Sequence, residues 1–298
     1  MKLGMIGLGK MGANMTLRLT RGGHSVVGYS RGPGSPAIAR GAGADFAPSA
    51  AELAARLSPP RVVWLMIPAG DPVDQTIALL RPKLARGDVL VDGGNSYYKD
   101  SMRRAEDLST DGIFMIDAGT SGGVWGLENG YCLMVGGDEA ACRLVEPAFL
   151  TLAPERGYAR VGGCGAGHYT KMVHNAIEYS MLQGIGEGFE ILHASDFRLD
   201  LAKVAELWLH SSVVRSWLME LMADALRKDP DLAKIRGWVA DSGEGRWTLQ
   251  EAIDRAIPAP ALADALFARF RSRQEDSFSA RAIAALRNEF GGHEVKSK

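Results

Sequence analysis

The stretch KLGMIGLGKMG, residues 2–12, decides the fold of the N-terminal half of the chain. An apolar run ends in glycines spaced as GxGxxG, and a helical pattern and a second apolar run, HSVVGY, follow. In this setting Gly7 permits a tight turn, Gly9 lets a pyrophosphate approach, and Gly12 permits close packing of helix on strand. The helix N-terminus then offers unpaired N–H groups to the phosphates. Rather than a turn without a ligand, we expect a dinucleotide-binding turn formed by Gly7, Leu8, Gly9, Lys10, Met11 and Gly12.

Apolar runs alternate with helical segments throughout this half of the chain. Six runs end in glycine or polar turns: KLGMIGLG, HSVVGYS, RVVWLMIPAG, DVLVDGGNS, GIFMIDAGTSGG and GYCLMVGG. Several are apolar on both faces, as is typical of strands covered by helices on both sides. The alternation predicts an α/β Rossmann-type domain with a doubly wound, largely parallel sheet at residues 1–163.

The character of the sequence changes near residue 166, where strand-like runs nearly vanish. Periodic patterns predict helices at 167–194, 200–227, 230–240, 247–256, 260–273 and 276–290. We therefore expect an all-α domain at residues 164–298, with its polar end EVKSK frayed.

The net charge, the cysteine spacing and the lengths of the apolar runs argue against several classes of protein. A formal net charge of -1 argues against general electrostatic binding to nucleic acid, which needs a clustered basic face. Cys132, Cys142 and Cys164 form no CxxC motif and are typical of buried thiols in a reducing cytosol. The N-terminus lacks a signal-peptide pattern, and no apolar run approaches the ~18–20 residues of a membrane span. We expect a cytoplasmic protein with neither a nucleic-acid nor a membrane partner.

The end of the second predicted strand bears on the choice between NAD and NADP. A carboxylate there would bond the ribose 2′-hydroxyl of NAD, whereas the sequence has Tyr29, Ser30 and Arg31. Ser30 can bond a 2′-phosphate, and Arg31 can pair with it and stack on the adenine. The pattern favours NADP, with NAD as the alternative; a solvated Arg31 without a ligand is the competing interpretation.

Two glycine-rich turns follow later apolar runs, in DGGNS (92–96) and DAGTSGG (117–123). Ligands of such sheets bind outside the carboxyl ends of the strands. Asn95 offers a donor and an acceptor there, and Ser121, Gly122 and Gly123 offer a hydroxyl and unobstructed N–H groups. These groups suit a carboxylate or a polyol, although the same residues are common in ordinary turns.

The segment GHYTKMVHNAIEY, residues 167–179, places Lys171, His174, Asn175 and Glu178 at helical offsets of 0, 3, 4 and 7. These side chains share one face of an otherwise apolar helix. A surface helix could carry such a stripe, but His and Asn are less usual there than Lys, Glu and Arg. A lysine and a glutamate lining a cleft could serve as base and acid in one reaction.

Taken together, the motifs resemble those of the 6-phosphogluconate dehydrogenase family, of the β-hydroxyacid dehydrogenase superfamily. The similar segments, in chain order, are GLGKMG, DGGNSYYKDS, TSGGVWGLENG, GAGHYTKMVHNAIEY, GRWT (245–248), FAR (267–269) and RNEFGGH (287–293). They extend over nearly all of the chain, which resembles the compact short form. The resemblance implies oxidative decarboxylation of 6-phosphogluconate to ribulose 5-phosphate and CO2, with reduction of NAD(P) and without a metal.

The resemblance also implies roles for particular residues. Lys171 matches the general base and Glu178 the general acid. Substrate-orienting positions are Asn95, Ser121, Gly122, Gly123, His174 and Asn175, and phosphate contacts are Tyr179 and Arg269. Arg287 and His293 match a tail that reaches a neighbouring subunit's site, which implies a homo-oligomer, a dimer or a tetramer. Ile67, Pro68 and Ala69 match the cofactor loop, and Asn95 also matches a cofactor contact.

Three positions depart from the long form of the family. Ser242 stands where a phosphate-binding lysine is expected, and Glu244 lies in the same segment. Pro68 stands in place of a lysine of the cofactor loop. Short-form relatives often favour NAD, which opposes the preference inferred from Arg31.

Two other functions compete with this interpretation. A dehydrogenase of the 3-hydroxyisobutyrate type would share the glycine turns and the lysine helix but would not require Glu178, Arg269, Arg287 or His293. A non-catalytic NADP-binding sensor could dispense with Lys171 and Glu178. Because all of these residues are present, the phosphorylated sugar acid is the favoured substrate.

Overall fold

The computed structural model describes residues 1–296; Ser297 and Lys298, at the end of the predicted C-terminal domain, lie outside them. The chain forms two compact units, Met1–His174 and a second that begins at Asn175. The division falls inside one helix, Ala166–His193 (α8). The domain boundary between residues 163 and 164 stays a prediction from the sequence.

The first unit is built on one eight-stranded sheet in the order β3-β2-β1-β4-β5-β6-β7-β8. All neighbouring strands are parallel except β6 and β7, which are antiparallel. The strands are Lys2–Ile6 (β1), Ser25–Tyr29 (β2), Asp45–Phe46 (β3), Val62–Leu65 (β4), Val89–Asp92 (β5), Phe114–Ser121 (β6), Cys132–Gly136 (β7) and Tyr158–Gly162 (β8). The predicted Rossmann-type, largely parallel sheet is therefore confirmed.

Helices cover both faces of this sheet. They are Lys10–Arg21 (α1), Ser35–Gly41 (α2), Ala50–Ala55 (α3), Asp71–Leu80 (α4), Tyr98–Ser109 (α5), Gly126–Asn129 (α6) and Glu139–Leu152 (α7). One apolar core includes Trp64, Met15 and Phe149, and another includes Leu65 and Leu53. Alternate residues of β4 thus enter different cores, which explains why the strand is apolar throughout.

The sequence patterns missed the strands β3 and β8 and the short helices α2 and α6. Strand β3 has only two residues, and β8 has mostly exposed side chains, so neither has a buried apolar run. Helix α2 begins directly after GPG, where the glycines and proline suggested an irregular loop.

The second unit is helical, as predicted. Beyond α8 it contains Leu201–Trp208 (α9), Trp217–Lys228 (α10), Glu244–Asp254 (α11), Pro260–Arg271 (α12) and Phe278–Gly291 (α13). The single helix predicted at 200–227 is wrong, because Ser211 has a left-handed φ of 61° and Ser216 caps a new helix by accepting the Met219 N–H. The helix predicted at 230–240 is also wrong: this segment forms turns, with Leu232 at φ 49°.

The three cysteines differ in exposure, which corrects the expectation that all are buried. Cys142 is buried, Cys164 is half-buried, and Cys132, the first residue of β7, is exposed. Burial raises the pKa of the Cys142 thiol to about 11 and also raises that of Cys164. The cytosolic location stays a prediction.

The glycines of the first turn have three different physical roles. Gly7 has a φ of 98°, and its N–H donates to the Tyr29 carbonyl at 2.8 Å. A Cβ added at Gly12 would lie 1.9 Å from the Gly7 oxygen, so α1 can pack here only without a side chain. A Cβ at Gly9 would meet no protein atom within 4 Å. The space beside Gly9 is therefore open to a ligand.

We predict that Gly12→Ala and Gly9→Ala separate stability from nucleotide binding. Gly12→Ala should lower the free energy of unfolding by about 1–3 kcal/mol through overpacking. Gly9→Ala should change it by less than about 0.5 kcal/mol, as at an open surface site, while weakening NAD(P)H binding. Urea denaturation and fluorescence titration with NADPH and NADH measure the two effects. Equal destabilisation by the two substitutions would contradict the assigned roles.

Candidate active site

A cavity of about 300 Å³ opens beside the glycine turn, at the carboxyl ends of β1, β2 and β4. Its lining includes the predicted cofactor residues Gly7, Gly9, Ser30, Arg31, Ile67 and Pro68. Lys10 begins α1 at the same turn, and Ala69 is exposed in the adjoining loop. The side chains of Leu8 and Met11 pack in or against the apolar core, which leaves the main chain of Leu8 for the predicted contact. The cavity has the position expected for a dinucleotide in such a sheet.

Arg31 is the one charged residue among those that line this cavity. Its side chain is exposed and has no hydrogen bond or ion pair with any residue in the range 1–296. Ser30 beside it is half-buried. The arrangement fits an anionic group, because no carboxylate or other partner within the described residues competes for the guanidinium.

The two glycine-rich turns are joined to each other through Asn95. Asn95 has a φ of 51°, its Nδ2 donates to the Thr120 carbonyl at 3.1 Å, and its Oδ1 accepts the Thr120 N–H at 2.9 Å. Asp92 holds the turn from the other side by accepting from the Gly94 N–H at 3.0 Å and the Ser96 hydroxyl at 2.6 Å. The Asn95 amide thus uses one N–H and its oxygen to hold the two turns together. The residue types alone did not reveal this contact.

The end of β6 presents the predicted Ser121, Gly122 and Gly123. Gly122 and Gly123 have φ values of 128° and 53°, which side chains disfavour. A Cβ at Gly123 would meet nothing within 4 Å, so the space on that side of the turn is open. The turn is shaped to bring main-chain groups close to a ligand.

Lys171 lies near the start of α8, against the middle of β6. It is 5% exposed, and its Nζ is 3.3 Å from His174 Nδ1. A Cβ added at Gly119 would lie only 2.5 Å from the Lys171 Cβ. Strand and helix therefore meet where the strand has no side chain, two residues before Ser121.

In the second unit a compact polar group surrounds Tyr179, a residue 5% exposed. The Tyr179 hydroxyl accepts the Ser242 N–H at 2.9 Å and lies 3.1 Å from the Ser242 hydroxyl. The Arg269 guanidinium carbon lies 3.5 Å from the centre of the tyrosine ring, and its Nη1 donates to the Ala240 carbonyl at 2.8 Å. Tyr179 and Arg269, both predicted phosphate contacts, are thus brought together with Ser242.

Two acidic residues of the second unit adjoin this group. Glu244 is 7% exposed and accepts from Asn175 Nδ2 at 3.0 Å. Asp241 binds Arg246 and Arg273, and the hydrogen bond from Arg246 is the main cause that lowers its pKa. Asp241 anchors the turn before α11 and was not singled out from the sequence, because a lone aspartate in a glycine-containing loop gives no specific signal.

Glu178, Arg287 and His293 complete the set of predicted residues. Glu178 is half-buried on α8. Arg287, near the end of α13, and His293, two residues beyond that helix, are exposed, and α13 has no buried residue. Within the described part of the chain, neither forms a hydrogen bond or ion pair with the group around Tyr179. The structure of one chain therefore does not bring the predicted tail residues to this group.

The described residues form neither a metal site nor a membrane-spanning helix. Over residues 1–296, no three His, Cys, Asp or Glu side chains are arranged to hold a metal ion. None of the helices in that range combines the length and apolarity that crossing a membrane requires.

Both halves of the chain match descriptions of one enzyme family. Residues 2–163 match the NAD binding domain of 6-phosphogluconate dehydrogenase, and residues 167–297 match the C-terminal domain of that enzyme. A Haloferax volcanii protein, named as an NAD(+)-dependent, decarboxylating 6-phosphogluconate dehydrogenase, is 45% identical over 301 residues, covering 100% of this chain and 99% of that protein. A Bacillus subtilis protein, provisionally named as a 6-phosphogluconate dehydrogenase, is also 45% identical, and the alignment covers both chains completely.

Two solved structures are similar to this chain to different degrees. The Plasmodium falciparum 6-phosphogluconate dehydrogenase has a TM-score of 0.85 and 29% identity, covering 100% of this chain and 66% of its own. A Mycobacterium tuberculosis 3-hydroxyisobutyrate dehydrogenase, with a TM-score of 0.72 and 22% identity over 96% of this chain and 99% of its own, shares the fold. The chain thus belongs to the 6-phosphogluconate dehydrogenase family, as a short-form oxidoreductase with a nicotinamide-dinucleotide-binding domain.

Proposed function

We propose that the protein oxidatively decarboxylates 6-phosphogluconate to ribulose 5-phosphate and CO2 while reducing NAD(P). The observation that carries the proposal is that helix α8 bears a buried lysine, Lys171, and, two turns later, Glu178. The relatives that match over their whole length are named for this dehydrogenase, one of them as decarboxylating.

Lys171 acts as the general base in the first step. Removal from water favours the neutral form of an amine, which is the form a base needs. Its Nζ takes the proton of the substrate's 3-hydroxyl as the hydrogen on carbon 3 leaves as hydride. The glycine turn, Ser30, Arg31 and the loop at Ile67 and Pro68 would hold NAD(P), which would supply the hydride acceptor. The product of this step is a 3-keto acid.

The protonated Lys171 then assists decarboxylation. A 3-keto acid loses CO2 when the electrons of the broken C1–C2 bond move into an enolate, whose oxygen an ammonium group stabilises. Glu178 delivers a proton to the carbon that lost CO2, which converts the enediol to the ketose. His174 and Asn175 orient the substrate, together with Ser121 and the N–H groups of Gly122 and Gly123.

Tyr179 and Arg269 bind the phosphate. Arg269 uses one N–H group on the Ala240 carbonyl, and its remaining donors are available to an anion. Ser242 contributes its hydroxyl in place of the lysine of the long form. Glu244 accepts a hydrogen bond from the side-chain N–H of Asn175. Because a carboxylate can only accept, the Asn175 amide must turn its nitrogen, and not its oxygen, toward Glu244.

The first test is a panel of acids and cofactors followed by absorbance at 340 nm, with CO2 measured in parallel. Reduction of NAD(P) with 6-phosphogluconate and equimolar CO2 supports the proposal. Reduction only with 3-hydroxyisobutyrate or a similar acid supports the rival dehydrogenase, and nucleotide binding without turnover supports a sensor.

We predict that Lys171→Met lowers kcat by about 10²–10⁴-fold, the usual contribution of a general base, while substrate still binds. Glu178→Gln should slow the late protonation. Lys203→Met and Glu190→Gln, at exposed positions on α9 and α8, are the matched controls and should keep wild-type rates. Stopped-flow absorbance and calorimetry give rates and affinities. Near-normal turnover in Lys171→Met would refute the mechanism.

We propose NADP as the preferred cofactor, because Arg31 is the charged residue of the cavity lining and has no hydrogen-bond or ion-pair partner among residues 1–296. Arg31→Ala should then lower kcat/KM about 10–100-fold for NADP and much less for NAD, since a charge-assisted contact to phosphate is lost. Arg40→Ala on α2 is the control. Equal efficiency of the wild-type protein with both cofactors, or better efficiency with NAD, would contradict the preference.

We propose further that the protein is a homo-oligomer in which Arg287 and His293 complete a neighbouring subunit's site. The exposed apolar side chains Phe278, Ile283, Leu286 and Phe290 on α13 support this, since such surface is typical of an interaction site. Mixing Arg287→Ala and Lys171→Ala chains should restore about a quarter of the activity of a shared-site dimer, because half of the dimers are hybrid with one complete site each. Two different affinity tags on the two chains, with purification through both tags in succession, verify hybrid formation. Absence of recovery in verified hybrids would exclude a shared site.

A further inference from the structure

Asp117, on β6, is a buried carboxylate that the proposed mechanism does not use. Its side chain has no exposed surface. Oδ1 accepts the Gly165 N–H and Oδ2 accepts the His168 N–H, both at 2.7 Å. These donors stand at the start of α8, so the acceptor for the helix N-terminus comes from a strand rather than from a neighbouring residue. Such acceptors are needed because the first N–H groups of a helix have no partner within it.

The contact is reinforced by three glycines. A Cβ on Gly167 would lie 2.4 Å from the Asp117 carbonyl oxygen, and one on Gly136 would lie 2.5 Å from Asp117 Oδ1. Gly119, two residues further along β6, leaves room for the Lys171 Cβ. The helix start therefore lies so close to β6 and β7 that these three positions have no room for a side chain, and little freedom remains for the start of the helix to shift.

The same face of β6 connects this cap to the reacting groups. Side chains alternate along a strand, so positions 117, 119 and 121 share a face. Asp117 holds the helix start, Gly119 touches the stem of Lys171, and Ser121 ends the strand at the predicted substrate turn. Strand β6 thus fixes both the start of α8 and the position of the predicted substrate turn.

His168 gives the helix start a second attachment. Its side chain is 1% exposed, and its Nδ1 lies 2.8 Å from the buried Ser101 hydroxyl on α5. The main chain of His168 is held by Asp117 and its ring by Ser101. The first turn of α8 is therefore fixed from two directions, one turn before Lys171.

We infer that Asp117 is a positioning residue that sets the placement of Lys171 for the hydride-transfer step. The inference rests on the proposed role of Lys171 as the base. A displacement of about 1 Å in a catalytic group can cost about 100-fold in rate. An asparagine at position 117 retains the shape but has one accepting oxygen, so an amide N–H would face one of the two helix N–H groups.

The test is Asp117→Asn, with Asp138→Asn as the matched control, since Asp138 caps α7 by accepting the N–H groups of Ala140 and Ala141. We expect kcat to fall about 10–100-fold in Asp117→Asn, with the affinity for NAD(P)H unchanged. The deuterium isotope effect at carbon 3 of the substrate should rise, because hydride transfer becomes limiting. This ratio is independent of the fraction of folded protein, which keeps the test valid if the variant folds poorly.

A readout that needs no activity is hydrogen exchange of a peptide covering residues 163–175. Exchange should increase there in Asp117→Asn and not in Asp138→Asn, and Ser101→Ala should give a smaller effect of the same kind. Faster exchange with an unchanged kcat and isotope effect would overturn the inference, as would unchanged exchange or a change in KM alone. Full activity of Lys171→Met would instead refute the proposed base, whatever the exchange result.

Discussion

The first unit depends on the contact between the start of α8 and strands β6 and β7. The two hydrogen bonds from Gly165 and His168 to Asp117 satisfy helix N–H groups that would otherwise be buried without a partner. Burial raises the pKa of Asp117, and the bonds from the helix start oppose that effect by favouring the carboxylate. Because an unpaired buried polar group is costly, this contact strongly favours one position of the helix relative to the strand.

The turns at the carboxyl ends of the strands are fixed by similar means. Asn95 links the turn after β5 to the last residues of β6, and Asp92 closes its own turn. Polar side chains here bond to main-chain groups more than to one another, so the candidate site is held by the backbone of the sheet. A site built this way can present Ser121 and the following glycines without large rearrangement.

Much of the fold was predictable because it rests on local rules. The alternation of apolar runs with helical patterns indicated the doubly wound sheet, and the GxGxxG spacing indicated the first turn. The incorrect predictions of secondary structure also have local causes. Strand β8 has an exposed edge and hence no apolar run, and the break between α9 and α10 depends on a left-handed residue, Ser211, that helical periodicity does not reveal.

The sequence by itself determined the fold class, the family and the set of candidate residues, since these follow from periodicity, glycine spacing and collinear motifs. Only the tertiary structure decided which residues act on one another. It placed Tyr179 under the Arg269 guanidinium, turned Asn175 toward Glu244, and made Asp117 the cap of a helix that begins 49 residues later. The physical reason is that hydrogen bonding and close packing join groups distant along the chain, and neither leaves a periodic signal in the sequence.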